Sequence, residues 1–112
     1  MGELKKMYDK YINEGYFDPC PVNPEYNGLE IEWKEKNFVN PPYSQISYWI
    51  DKALIEKDKN KEIILLIPAR TDTKWFKKLY DTGSEITLIQ GRLRFNDSKP
   101  APFPSMLVKI NR

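Results

Sequence analysis

The sequence contains no histidine, a single cysteine and no apolar run longer than Ile63–Ile67. Without an imidazole, Ser-His-Asp and Cys-His nucleophilic catalysis lack their general base, and His/Cys zinc sites lack ligands. The lone Cys20 excludes an internal disulfide framework. A run as short as Ile63–Ile67 cannot span a bilayer, so no membrane contact is expected.

The remaining composition is typical of a soluble globular protein, with 40% hydrophobic and 30% charged residues. The length of 112 residues fits one small domain, which we expect to cover residues 1–112. The first six residues contain no apolar segment of a signal peptide, so a cytoplasmic location is expected. Acidic residues form no evident cluster for Mg²⁺, and no metal site is predicted.

Hydrophobic spacing predicts an α/β protein with an open, mostly parallel sheet. Ile63–Ile67 is apolar on both faces, which is typical of a central strand covered by helices on both sides. The predicted helices start near Leu4 (ending before Gly15), after the N-cap Ser44, and after the N-cap Thr71 or Asp72. The predicted strands are Tyr16–Phe17, Asn37–Asn40, Ile63–Ile67, Ile86–Gln90, Leu93–Phe95 and, after a Pro-rich connection at Pro100, Pro102 and Pro104, an antiparallel Met106–Ile110.

The segment Asn40-Pro41-Pro42-Tyr43 follows a predicted strand and precedes a helix, at the sheet edge where α/β proteins bind ligands. The Asn40 side-chain oxygen and the Pro41 carbonyl can accept hydrogen bonds from the two N–H groups of an exocyclic amine. The two prolines fix the angle of that carbonyl, because each ring locks its own φ. Tyr43 offers a face on which a planar base can stack. The alternative is a stiff turn between strand and helix, since Asn and Pro are common in such turns.

Basic residues concentrate in two places, although the net charge is only +2. Lys74, Lys77 and Lys78 form one group, and Arg92 and Arg94 alternate around Leu93, so that one face there is basic. Such a face can contact phosphate, or it can be a solvated surface without a partner.

Several segments resemble those of the phage-type, Dam-like DNA adenine-N6 methyltransferases. The resemblance covers roughly residues 4 to 110, and its most specific parts follow the Asn-Pro-Pro-Tyr segment. The similar segments are Phe17–Cys20, Trp33, Asn40–Ser44, Trp49–Ala53, Leu65–Phe76, Gly91–Phe95 and Ala101–Met106.

This resemblance implies a site-specific, adenine-specific DNA methyltransferase with a class I, Rossmann-like fold that uses S-adenosylmethionine. Its partner would be double-stranded DNA, in the cytoplasm of a bacterial host, with a phage or prophage origin. The target adenine would be held by Asn40, Pro41, Pro42 and Tyr43, and flipped out of the duplex. The implied cofactor residues are Asp18, Pro19, Cys20 and Asn40, and the implied DNA contacts are Arg70, Lys74, Arg92 and Arg94.

The first-strand side of the predicted sheet is shortened. No Gly-rich turn follows Asp18, and only 18 residues separate Asp18 from Asn37. A complete methyltransferase of this kind has two helices and two strands in this part of the chain. They cannot fit into 18 residues, because one crossover alone needs a dozen or more residues. We therefore expect weak cofactor binding, and a sheet edge at Tyr16–Phe17 that is covered by a helix or by a second copy of the chain.

Two other functions remain open from the sequence. The first is a catalytically impaired remnant that acts as a DNA- or protein-binding module. The second is an amino-methyltransferase that acts on protein glutamine or on RNA, because these enzymes share the Asn-Pro-Pro-Tyr segment.

Overall fold

The computed structural model describes residues 3–94 and 103–111. In chain order, these residues form α1 (Glu3–Asn13), β1 (Lys36–Val39), a 3-10 turn (Tyr43–Gln45), α2 (Ile46–Lys57), β2 (Glu62–Pro68), α3 (Lys74–Asp81), β3 (Glu85–Leu88) and β4 (Ser105–Ile110). None of the helices in these ranges is long and apolar enough to cross a membrane.

The four strands form one sheet in the order β1-β2-β4-β3. β1 pairs in parallel with β2, and β4 is antiparallel to both of its neighbours. Three strands therefore run in one direction, and β4 lies between two of them in the opposite direction. The predicted α/β class and the antiparallel C-terminal strand are confirmed, but only one of the three ladders is parallel because β4 separates β2 from β3.

β2 is buried along its length after Glu62, as the sequence predicts for a central strand. Ile63, Leu65 and Ile67 belong to the core beneath α2 and α3. Ile64 and Leu66 point to the opposite face, where they pack in the cluster that α1 covers. The sheet thus has helices on both faces, and the core holds the carboxyl ends of β1 and β2 in fixed positions.

The predicted strand Tyr16–Phe17 is reduced to a single parallel bridge between Phe17 and Asn37. Phe17 N–H donates to the Lys36 carbonyl at 2.8 Å, and Phe38 N–H donates to the Phe17 carbonyl at 2.8 Å. The pairing ends there because the chain turns at Asp18, whose Oδ1 accepts from Cys20 N–H, and because Pro19 has no N–H to donate. The sheet is therefore short on this side.

The predicted N-caps were wrong for both later helices. Ser44 lies inside the 3-10 turn, and α2 begins after Gln45, which makes no side-chain cap bond. The cap of α3 is Thr73 rather than Thr71 or Asp72, since its hydroxyl accepts from Phe76 N–H at 3.2 Å. Helix α1 does end before Gly15, whose φ of +91° suits glycine.

The region after β3 also differs from the prediction. β3 ends at Leu88 rather than Gln90. Arg92 and Leu93 are not in a strand, and Arg94 forms only an isolated bridge. Phe95, Pro100 and Pro102 lie outside the described residues.

Candidate active site

The Asn40–Tyr43 segment leaves β1 immediately after Val39. Because β1 and β2 are parallel neighbours, this segment lies beside Pro68 at the end of β2. The two strand ends border a cavity of about 530 Å³, whose lining includes Asn40, Pro41, Tyr43 and Pro68. The predicted position at the carboxyl edge of the sheet is confirmed.

The backbone of this segment is held in one conformation. Pro42 has φ −65° and ψ 137°, its carbonyl accepts from Gln45 N–H at 3.1 Å, and the Tyr43 carbonyl accepts from Ile46 N–H. Among the described residues, no hydrogen bond reaches the Pro41 carbonyl or the Asn40 side chain. Both predicted acceptors are therefore available to a ligand.

Tyr43 lies at the mouth of this cavity with 49% of its surface exposed. The guanidinium carbon of Arg70 lies 5.6 Å from the centroid of its ring. Arg70 follows β2, its N–H donates to the Pro68 carbonyl at 2.9 Å, and its carbonyl accepts from the Thr73 hydroxyl at 2.8 Å. The loop after β2 thus brings a cation onto the aromatic ring of the loop after β1.

A second cavity, of about 450 Å³, lies between α1 and the loop that starts at Asp18. Asp18 is held on both carboxylate oxygens: Oδ2 accepts from the Tyr8 hydroxyl at 2.7 Å, and Oδ1 accepts from Cys20 N–H at 2.8 Å. The Tyr26 hydroxyl donates to the Asp18 carbonyl at 2.6 Å. A carboxylate accepts about four hydrogen bonds, so Asp18 keeps capacity for a ligand.

Tyr8 and Cys20 are both protonated at neutral pH. Burial, followed by the hydrogen bond to Asp18, raises the pKa of Tyr8 to about 12. Burial and the charge of Asp18 raise the pKa of Cys20 to about 11. The Tyr8 hydroxyl therefore acts as a donor, and Cys20 is a neutral thiol rather than a nucleophilic thiolate.

The two cavities share Leu4, Cys20, Pro21 and Asn40. They form the two arms of one cleft, and Asn40 lies where the arms meet. The structure therefore brings together Asp18, Cys20 and the Asn40–Tyr43 segment. Pro19 is buried and lines a separate pocket together with Trp49, not the second cavity.

The four predicted DNA contacts, Arg70, Lys74, Arg92 and Arg94, are all exposed. Leu93, which lies between Arg92 and Arg94 in the sequence, is buried and lines the larger cavity. Lys77 and Lys78 differ, because they pair with Asp81 at 2.7 Å and with Asp51 at 2.8 Å. Their part of the basic cluster is a solvated helix face.

Sequence reasoning missed the contribution of α1. Tyr8 falls within the helix predicted from Leu4 to before Gly15, and its hydroxyl donates to Asp18. A signal was available, because a partly buried tyrosine needs an acceptor for its hydroxyl. The identity of that acceptor depends on tertiary packing.

A family model described as "DNA N-6-adenine-methyltransferase (Dam)" matches residues 20–105. A "DNA N-6-adenine-methyltransferase" of Escherichia phage T1 is 34% identical over 71 residues, which cover 62% of this chain and 30% of that protein. A protein of the same name from Haemophilus phage HP1 (strain HP1c1) is 30% identical over 70 residues, which cover 61% of this chain and 40% of that protein.

The chain thus spans less than half of the length of these relatives. No solved structure matches it significantly. The match to the family model extends from the Cys20 loop to the start of β4 and so includes the Asn40–Tyr43 segment, whereas Tyr8 and Asp18 of the second cavity precede it. The chain belongs to the DNA N-6-adenine-methyltransferase (Dam) family.

Proposed function

We propose that this chain transfers a methyl group to the N6 amine of adenine in double-stranded DNA. One observation carries the proposal: Asn40, whose side chain makes no hydrogen bond to another described residue, lies where a base-sized cavity meets the cavity beside Asp18. A group-transfer site needs two ligands that meet at one point, and Asn40 marks that point. Family membership supports the same reaction.

The target adenine would occupy the larger cavity. Its N6 hydrogens would donate to the Asn40 side-chain oxygen and to the Pro41 carbonyl, which leaves the nitrogen lone pair directed away from both acceptors. Tyr43 would stack on the base. These groups orient the amine and stabilise positive charge that develops on it, and this is the main catalytic requirement when the methyl donor is already activated. The absence of histidine is compatible with this chemistry.

S-adenosylmethionine fits the second cavity by the chemistry of its walls. Asp18 offers a fixed carboxylate with spare lone pairs to a cationic ligand, and Asn40 borders the cavity on the side of the base. Cys20 and Pro21 would line the cofactor. When bound, S-adenosylmethionine would supply an electrophilic methyl carbon, and its positively charged sulfur would be the leaving group that keeps the bonding electron pair. After the transfer, the amine releases one proton to solvent.

The sheet supports a class I methyltransferase fold that is shortened on its first-strand side. Three strands run in one direction, β4 inserts between β2 and β3, and the first strand is reduced to the Phe17 bridge. Arg92 and Arg94 would contact DNA phosphates beside the cleft. Such contacts position the duplex without reading its sequence.

The test is a methyl-acceptor assay with labelled S-adenosylmethionine. Plasmid DNA from a host without adenine methylation, RNA and protein are offered in parallel. We expect label in DNA as N6-methyladenine, and we expect Asn40→Ala to lower the rate about 100-fold or more, as for loss of one preorganised polar group. Label in RNA or protein alone would contradict the DNA assignment. No label in any acceptor, with DNA still bound, would favour a binding module.

A further inference from the structure

Tyr43 has two ring faces, and only one of them can face the base cavity. Tyr43 lines that cavity, whereas Arg70 is exposed and is not among the described residues that line it. The guanidinium carbon nevertheless lies 5.6 Å from the ring centroid. Arg70 thus lies close to the Tyr43 ring without being among the described residues that line the cavity.

We propose that Arg70 is a positioning residue that backs the outer face of the Tyr43 ring and holds the inner face ready for a flipped adenine. The inference rests on the proposed function, because it takes a DNA base as the ligand of the cavity. It also changes the role predicted for Arg70 from the sequence, which was a contact to DNA.

The backbone of Arg70 is well suited to this role. Its N–H and its carbonyl are both hydrogen-bonded, to the Pro68 carbonyl and to the Thr73 hydroxyl. Thr73 in turn caps α3 through Phe76 N–H. The arginine thus extends from a fixed point at the end of a buried strand. Tyr43, by contrast, is half-exposed, and its hydroxyl makes no hydrogen bond to another described residue.

Two other roles for Arg70 predict different results. A phosphate contact would strengthen binding to any DNA, and its loss would reduce the slope of log affinity against log salt by about 0.9. A guanidinium that occupies the place of the base would compete with adenine, and its loss would strengthen adenine binding. A backing role predicts weaker adenine binding with an unchanged salt slope.

The experiment compares two duplexes that differ at one position, which carries either a mismatched adenine or an abasic site. A mismatched base is easier to extrude, so the ratio of the two Kd values reports base capture. This ratio is measured by fluorescence anisotropy for the parent, Arg70→Ala, Tyr43→Leu and the double variant. Thermal unfolding of each variant confirms that it is folded.

We expect the parent to prefer the adenine duplex, and Arg70→Ala to lower that preference about 2- to 5-fold, the range of an exposed cation–π pair. In the Tyr43→Leu background, Arg70→Ala should have no further effect, since its action passes through the ring. Additive effects, a stronger preference for adenine, or a lower affinity for both duplexes with a reduced salt slope would each overturn the proposal.

Lys74→Ala is the matched control, because Lys74 is an exposed cation in the same segment. It should weaken binding of both duplexes equally in either Tyr43 background. The methyl-transfer assay is read separately. Coupling of Arg70 to Tyr43 in a chain that transfers no methyl group would sustain this inference while the proposed function fails. A chain that methylates DNA without any preference for adenine over the abasic site would overturn the inference alone.

Discussion

At the scale of single residues, substitutions of Tyr43 distinguish two interpretations of the Asn40–Tyr43 segment, a catalytic loop and a stiff structural turn. Tyr43 lines the larger cavity, and its carbonyl accepts from Ile46 N–H, a bond that does not need the side chain. We predict that Tyr43→Phe keeps most of the methylation rate because the stacking face remains. Tyr43→Ala should weaken base binding by about 1–3 kcal/mol, the value of one stacked base. Steady-state kinetics on DNA measure both variants.

The stability of the same variants provides the control. Asn40 is exposed and Tyr43 is half-exposed, so their substitution should change the free energy of unfolding by only about 0.5 kcal/mol. If Asn40→Ala and Tyr43→Ala both unfold much more easily than the parent and neither loses affinity for adenine, the segment is a structural turn.

Glu56 is a buried carboxylate in the last turn of α2, at the opposite end of the helix from the Asn40–Tyr43 segment. Burial alone would raise its pKa, but hydrogen bonds from Lys61, from Trp33 N–H, from Lys59 and from Lys52 outweigh burial and lower the pKa to about 2. The Glu56–Lys61 pair measures 2.7 Å, and Lys61 is itself buried. This group ties α2 to the start of β2 and to the loop at Trp33.

We predict that Glu56 makes stability depend on acid pH. Since its folded pKa is lowered from 4.5, its contribution is complete above about pH 4.5 and is lost as the pH falls through about 2. Glu56→Ala should cost about 3–5 kcal/mol, because Lys61 is then left buried without its partner. Urea unfolding at several pH values measures this, and Glu56→Gln should remove most of the change between pH 4.5 and 2. An equal acid dependence in Glu56→Gln would contradict the assignment.

At the scale of elements, α1 connects the second cavity to the sheet. Its residues pack on the face opposite α2 and α3, and Tyr8 holds the Asp18 carboxylate. We predict that Tyr8→Phe weakens binding of S-adenosylhomocysteine, which calorimetry measures. The lost hydrogen bond should also cost about 1 kcal/mol of stability. The parent itself should bind more weakly than micromolar, because the first-strand side is short.

Tyr11→Phe is the control on the same helix. Its ring stacks on Phe38 with a centroid distance of 4.7 Å, and its hydroxyl makes no side-chain hydrogen bond among the described residues. This variant should bind the cofactor product like the parent. Equal effects of Tyr8→Phe and Tyr11→Phe would show that α1 acts only through packing.

The sequence predicted the elements well where hydrophobic spacing decides them. Ile63–Ile67 lies at the centre of β2, and Ile46, Trp49, Ile50 and Ala53 form the buried face of α2. Helix caps were harder to predict, because neighbouring hydroxyls compete: Thr73 caps α3 because its hydroxyl reaches Phe76 N–H while also donating to the Arg70 carbonyl.

Contacts between distant segments were not predictable from spacing. The Tyr8–Asp18 bond and the Arg70–Tyr43 pair depend on how loops approach one another after the sheet has formed. The Asn40–Tyr43 cavity was predictable in position, since a strand and its following loop are adjacent in sequence.

At the scale of the whole molecule, the short first-strand side leaves the sheet with little backbone pairing beyond Phe17. We predict that the chain self-associates through this edge, since unpaired strand edges attract other strands. Sedimentation equilibrium over a range of concentrations should show dimers. Phe17→Pro, which removes an N–H bonded to the Lys36 carbonyl, disturbs the first-strand side and should change that equilibrium. A monomer at all concentrations would contradict the prediction.

The central position of β4 has a consequence for synthesis of the chain. β2 and β3 are made first, but they are not neighbours, and each pairs with Ser105–Ile110 instead. On the ribosome, one edge of β2 therefore stays unpaired until Ser105–Ile110 has left the exit tunnel. Late, non-local pairing of this kind slows folding and exposes apolar surface. During that interval the Ile63–Ile67 run would be a binding site for chaperones.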